Sequence, residues 1–244
     1  MKEINIEIKN KSFPLKIKNT KRQNLIFKNI VLKIKKGEFI SIFGPSGCGK
    51  TTLLNMISGL DKNFEGSIDA EKNVSYMFQS PRLFPWLTAI DNIKFPIRKN
   101  SNSDKIANGL IKKVGLEKFK NQYPDKLSGG MQRRIALARA FASNPSVLLL
   151  DEPFISLDKK IANLLRKLLI NLWKKNKPTV IFVSHDLDEA IELADRIFFL
   201  SSLPSKILLE HKINLTRPRN INSKKFISLK RLLSSTTRTK SQKN

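Results

Sequence analysis

The segment Gly44-Pro45-Ser46-Gly47-Cys48-Gly49-Lys50-Thr51 constrains this chain more than any other. Glycines at its first, fourth and sixth places let the backbone turn tightly enough for successive N–H groups to converge on one anion. Lys50 adds a point charge for β- and γ-phosphates, and the Thr51 hydroxyl is a ligand for Mg²⁺. The dense apolar run Phe39-Ile40-Ser41-Ile42-Phe43 precedes the loop and suits a buried strand. Residues from Thr51 and Thr52 to Ile57 have the content of a helix. Strand, glycine loop, helix is the order that aims a helix N-terminus at the anion. Gly44, Pro45, Ser46, Gly47, Cys48, Gly49, Lys50, Thr51 and Thr52 are therefore the candidate phosphate-binding residues.

The rest of the chain supplies a matching framework. Two alternating runs around Ile4-Ile6-Ile8 and Ile30-Leu32-Ile34 read as antiparallel strands joined by a polar loop at Lys18–Asn24. Val74 to Phe78 reads as a further strand, and Pro81 to about Ala142 as helical with Gly and Pro breaks. Val147-Leu148-Leu149-Leu150 is a continuous apolar run, as a strand covered on both faces requires. A helix at about 158–175, a strand at 179–184, a helix at 187–194 and a strand at 196–200 then alternate, which predicts a parallel α/β sheet. Phe226, Leu229 and Leu233 at helical spacing predict a last amphipathic helix over 223–234, followed by a basic, disordered tail at 234–244. The fold class is thus α/β: a mixed, largely parallel sheet with an N-terminal antiparallel part and an inserted helical lobe.

Two carboxylates stand where the buried run ends, in Asp151-Glu152-Pro153. Asp151 is the candidate Mg²⁺ ligand, and Glu152 is placed to polarise an attacking water. Farther along, Leu127-Ser128-Gly129-Gly130-Met131-Gln132 opens a helical run with small residues. Ser128, Gly129 and Gly130 would present unsatisfied N–H groups, making a second anion site.

These motifs together resemble the ATP-binding subunits of ABC transporters, over residues 1 to about 233. The resemblance implies an ABC ATPase fold with a RecA-like core at about 1–80 and 143–215 and a helical lobe at about 81–142. Leu127 to Gln132 resembles the family's signature, which implies that it binds the γ-phosphate of ATP held by an opposite subunit. His185, in Val183-Ser184-His185-Asp186, resembles the switch histidine of the γ-phosphate. Gln79 resembles the Q-loop glutamine that senses Mg²⁺ and water, and Ser156-Leu157-Asp158 resembles the D-loop. Phe13 is the candidate adenine-stacking ring, with Leu15 and Phe27 as alternatives. Within the family the chain is most similar to importer ATPases for nitrate, sulfonate and taurine, through Phe84-Pro85-Trp86, Asp151-Glu152-Pro153-Phe154 and Arg217-Pro218-Arg219. That likeness implies ATP hydrolysis driving nutrient uptake. It also implies a second ATPase subunit, identical or different, permease subunits that dock near Phe84–Trp86 with Trp86 or its neighbours as contact or core, and indirectly a substrate-binding protein.

Composition adds bounds. No stretch approaches the roughly 20 apolar residues of a membrane-spanning helix, and the alternating start is unlike a signal peptide. The expected place is the cytoplasmic face of the membrane, held there through the permease. Cys48 is the single cysteine, so no intrachain disulfide forms. A net charge of +26 fits three readings: AT-rich coding bias, affinity for an anionic membrane surface, or nucleic-acid binding. The compact insert between Gln79 and Ser128 and the single cassette argue against a nucleic-acid ATPase. About 59 residues follow His185, too few for the regulatory β-domain of the sugar and polyamine importers.

Overall fold

The structure, a computed structural model, describes residues 3–14, 23–71 and 73–242. It contains two compact units, Met1–Glu71 with Thr179–Asn244, and Lys72–Pro178. In chain order the elements are β1 (Ile4–Pro14), β2 (Gln23–Ile34), β3 (Phe39–Phe43), α1 (Lys50–Ile57), β4 (Glu65–Asp69) and β5 (Val74–Met77). Then come α2 (Ala89–Lys94), α3 (Ser103–Lys113), α4 (Gly129–Ala142), β6 (Val147–Asp151), α5 (Lys159–Asn176), β7 (Thr179–Ser184), α6 (Leu187–Leu193), β8 (Arg196–Leu200), β9 (Ile207–Lys212) and α7 (Lys224–Gln242).

In the first unit, β1 pairs antiparallel with β2 so that Ile4 faces Ile34, Ile6 faces Leu32 and Ile8 faces Ile30. All six are buried, which is why the period-two pattern specifies this register. The pairing of β1 with β4 slips between Ile8 and Asn10, and the inward phase moves on by one residue. Lys11 is consequently turned inside, only 2% exposed. Its ammonium pairs with Asp61 at 2.7 Å, donates to the Asn63 carbonyl at 2.7 Å and lies 4.3 Å from the Phe13 ring centre. The crossing of β4 over β1 needs Gly66, at φ +137°, because a Cβ there would stand 2.0 Å from the Glu7 carbonyl oxygen.

The same unit holds the parallel trio β7-β3-β8, closed by β9 running antiparallel to β8. Strands β3 and β7 carry almost no exposed side chain, as parallel strands covered on both faces do. Helix α7 buries Phe226 and Leu233, and Lys230 pairs with Asp188 at the start of α6 at 2.7 Å.

In the second unit, β5 and β6 pair in parallel with Met77 opposite Leu150. Helix α5 buries Ala162, Leu165, Leu169, Leu172 and Trp173, the spacing of one helical face. Asp158 caps its first turn, accepting from the Ile161 N–H at 2.9 Å, a common means of satisfying an orphan donor. Lys177, in the left-handed region, ends it.

Several expectations need correction. The tail from residue 234 was expected to be disordered, yet α7 continues to Gln242. No glycine or proline interrupts it, and Ser235 and Thr236 donate to the Leu232 carbonyl at 2.9 and 2.8 Å. Strands β4 and β9 were not anticipated; β4 has no buried residue to betray it. The loop placed at Lys18–Asn24 falls mainly outside the described residues, and Asn24 already pairs with Phe13 in the β1–β2 ladder. Helix in the lobe begins at Ala89 rather than Pro81, and one-turn 3₁₀ segments separate its helices.

Removing one member of a buried ion pair strands the other, at a cost of roughly 3 kcal/mol. Asp61→Ala should therefore lower urea stability by about that much. Lys11→Met should cost distinctly less, because Asp61 keeps the Asn63 N–H and its side chain is 19% exposed. Equal losses in the two denaturation curves would contradict the burial argument.

Candidate functional site

The register of the first unit brings two of the candidate groups to one sheet edge. Phe43 lies opposite Ser184, so the glycine loop leaves β3 where His185 leaves β7. The loop is closed by its own lysine: Lys50 Nζ donates to the carbonyls of Gly44 and Pro45, each at 2.9 Å. Gly47 and Gly49 take φ of +78° and +94°, a region where L side chains are strained. At Gly49 space is also closed, since a Cβ would meet Ile26 Cγ2 at 2.7 Å and the Phe27 ring at 2.8 Å. Thr51 is exposed at the start of α1 and Thr52 half-exposed. Ser46 and Pro45 are exposed in the loop.

Cys48 contributes backbone rather than chemistry. Its side chain is buried, and burial pushes the thiol above its ordinary value against the pull of the Lys50 charge. Ser205 Oγ donates to its carbonyl at 2.6 Å, pinning the loop to the segment before β9. The alternatives for the adenine-stacking ring also separate. Phe27 is wholly buried beneath Gly49 and has no free face, whereas Phe13 is 41% exposed. Leu15 lies outside the described residues.

Around His185 the chain is tied on both sides. Ser184 Oγ donates to Glu189 at 2.6 Å and accepts from the Asp186 N–H at 3.0 Å. Asp186 in turn caps α6 by accepting from the Asp188 N–H at 2.8 Å. The far end of α6 is held by Arg217-Pro218-Arg219. Arg219 donates to the carbonyls of Ile191 and Ala194, both at 2.6 Å, and Arg217 donates to that of Leu193 at 3.0 Å. Burial, with the neighbouring Arg217 charge, pushes Arg219 down to about 10. These arginines were noticed in the sequence as a family trait, and here they satisfy the last carbonyls of a helix.

The second unit gathers Gln79, Asp151 and Glu152 at the ends of β5 and β6. Gln79 Nε2 donates to Glu152 at a long 3.4 Å. Asp151 is 3% exposed and accepts from the Tyr76 hydroxyl at 3.5 Å. Tyr76 was missed by sequence reasoning, which had no signal for it beyond a strand position. Burial, then the Asp151 charge, hold its phenol well above the ordinary range, so it stays a donor. It stacks on Phe78 at 4.1 Å, and Arg82 covers Phe78 at 3.9 Å. Glu152 and Ser156 both take positive φ, +43° and +58°, a conformation that persists only where surroundings enforce it.

Helix α4 does much of that enforcing. Arg133 donates to the Pro153 carbonyl at 3.2 Å, and Arg139 donates to those of Pro81 and Arg82, each at 2.8 Å. At its N-terminus, Ser128 Oγ accepts from the Met131 N–H at 3.3 Å. The serine side chain thus satisfies one orphan donor itself, leaving the N–H groups of Gly129 and Gly130 without an acceptor among the described residues. Gly130 is also needed for packing, since a Cβ would meet Ile161 at 3.0 Å, while Gly129 faces open space.

In the lobe, buried Asn92 shapes the Phe84–Thr88 turn. It accepts from the Phe84 N–H at 2.8 Å and donates to the carbonyls of Phe84, Leu87 and Thr88. The turn leaves Trp86 70% exposed beside Phe84, so Trp86 is not core. Among the described residues no cluster of His, Cys, Asp or Glu could hold a metal alone. The Gln79 amide and Asp151 carboxylate of the second unit, and separately the Thr51 hydroxyl of the first, are donor types that suit Mg²⁺. No helix among the described residues is long and apolar enough to cross a membrane.

Comparison with known proteins agrees with this chemistry. Residues 27–155 match the family described as ABC transporter. The chain is 44% identical over 220 residues to the aliphatic sulfonates import ATP-binding protein of Bacillus anthracis, covering 84% of this chain and 85% of that one. The Bacillus subtilis protein of the same description is 39% identical over 236 residues, with coverage of 93% and 91%. An uncharacterised ABC transporter ATP-binding protein of Methanocaldococcus jannaschii is 42% identical over 218 residues, with coverage of 83% and 80%. Among solved structures, a dimeric ATP-binding cassette in a post-hydrolysis state with ADP and phosphate superposes with a TM-score of 0.76 at 32% identity, over 87% of this chain and all of that one.

Gly49→Ala should abolish nucleotide binding, because the strained φ and the Ile26 and Phe27 contacts force the loop open. Fluorescent ATP-analogue titration checks it; an affinity within threefold of the parent would contradict the loop geometry.

Proposed function

Since the chain belongs to the ABC transporter family of ATPases, we propose that it hydrolyses ATP to energise import of a small organic anion of the sulfonate class through a membrane permease. The observation that carries the motor half of this reading is the pair of N–H groups at the start of α4. They form an anion site in addition to the glycine loop, and one γ-phosphate does not need both from one subunit. A second copy of the chain supplies the complement, each signature facing the nucleotide of the other. The dimeric cassette of similar fold supports that arrangement. The named activity of the Bacillus relatives supports the cargo class.

The residues divide the work. The loop amides and Lys50 hold the β- and γ-phosphates, and Phe13 offers its exposed face to the adenine. Thr51, Asp151 and Gln79 would hold Mg²⁺, which would supply charge neutralisation on the phosphates. Glu152 orients and polarises the attacking water, and His185 contacts the γ-phosphate. Trp86, exposed on a turn locked by Asn92, is the contact for the permease, which holds the subunit at the cytoplasmic face of the membrane. A separate substrate-binding protein delivers the anion to the permease.

Glu152→Gln should bind ATP normally, form a stable ATP-bound dimer on size-exclusion chromatography and lose turnover; hydrolysis at the parent rate would remove Glu152 from the mechanism. Ser128→Arg should leave ATP affinity of the monomer unchanged while abolishing hydrolysis. An unaltered rate would rule out the two-subunit site.

A further inference from the structure

One cleft of the second unit has no part in the function proposed above. It lies between α3 and the C-terminal ends of α4 and α5 and encloses about 370 Å³, within the roughly 300–1,000 Å³ of small-molecule sites. Its floor is apolar, formed by Ile106, Leu110, Phe141 and Leu172, of which the last three are buried. Its rim carries Lys105, Lys113 and Lys175, and no acidic residue lines it. The far wall is fixed by the hydrogen bond from Asn176 Nδ2 to Asn144 Oδ1 at 2.5 Å and by the bond from Asn73 to the Asn144 carbonyl at 3.0 Å.

Two opposing charges must be weighed here. The carbonyl ends of α4 and α5 together carry about one negative charge. Three lysines outweigh them, and none of the three makes an ion pair with a described residue. The rim is therefore net positive above an apolar floor. Gly109 adds an independent observation. It interrupts α3 with the residue that favours helix least after proline, yet a Cβ there would touch nothing within 4 Å. No neighbour demands the glycine; its effect is to leave the cleft open.

We propose that this cleft binds a small organic anion, its apolar body against Leu110, Phe141 and Leu172 and its charged head among the three lysines. Inorganic phosphate would leave the floor wet, and a neutral amphiphile would leave the rim unpaired. Lysine suits the rim because its apolar stem covers the wall while its strongly hydrated head stays at the mouth. The proposal does not depend on ATP turnover, so it stands or falls separately from the function above.

The test is amide chemical-shift mapping of the whole chain with 1-hexanesulfonate, whose charge does not vary with pH, against 1-hexanol. Saturable shifts confined to residues 105–113, 141–144 and 172–176 are expected for the sulfonate and not for the alcohol. Lys113→Glu with Lys175→Glu, both exposed, should weaken binding at least tenfold. Gly109→Leu should abolish it without lowering the melting temperature. Shifts scattered over the lysine-rich surface, equal binding of hexanol, or unchanged affinity in the charge-reversed variant would overturn the assignment.

Discussion

A backbone N–H in the first turn of a helix has no acceptor within that helix, and a protein must satisfy it or leave it for a ligand. This chain has two glycine-bearing helix starts, α1 and α4, and at α4 it leaves such groups open. At α1 Lys50 closes the glycine loop on the carbonyls of Gly44 and Pro45. At α4 the Ser128 side chain takes one N–H, that of Met131, and leaves those of Gly129 and Gly130. Both sites want an anion, and the net positive charge of the chain (+26) does nothing to discourage one.

Helix α4, which bears the second set of open N–H groups, also reaches the chain around Glu152 and Gln79. Arg133 and Arg139, farther along α4, grip the backbone after Glu152 and after Gln79. Burial draws both guanidinium groups below their ordinary values without neutralising them. One helix therefore carries Gly129 and Gly130 at its start and, through its arginines, holds the chain beside the positive-φ turn at Glu152 and beyond Gln79. In the first unit α6 has a similar role for His185. It is capped by Asp186 at one end and held by Arg217 and Arg219 at the other.

How much of this was legible depends on whether a residue's role is local or set by distant neighbours. The glycine loop, the buried strands and the helix α5 follow from spacing and burial, and they appear where the sequence places them. Phe13 and Phe27 could not be separated by sequence, because only the approach of Phe27 to Gly49 shows which ring is buried. Tyr76 was invisible because its role arises from pairing across β5 and β6. Lys11 was hidden by a register slip that reverses which face of β1 is inside. Strand β4 lacks the apolar alternation that announces a strand. The helix beyond residue 234 was lost to its polar composition, although nothing in it breaks a helix.

The central claim is that two copies of the chain share the ATP sites. It is tested most directly by measuring ATPase specific activity across a wide range of protein concentration, with molecular mass recorded in the same Mg-ATP buffer. The account predicts specific activity that rises with concentration in step with the dimer fraction. Constant specific activity from a species that remains monomeric throughout would contradict it.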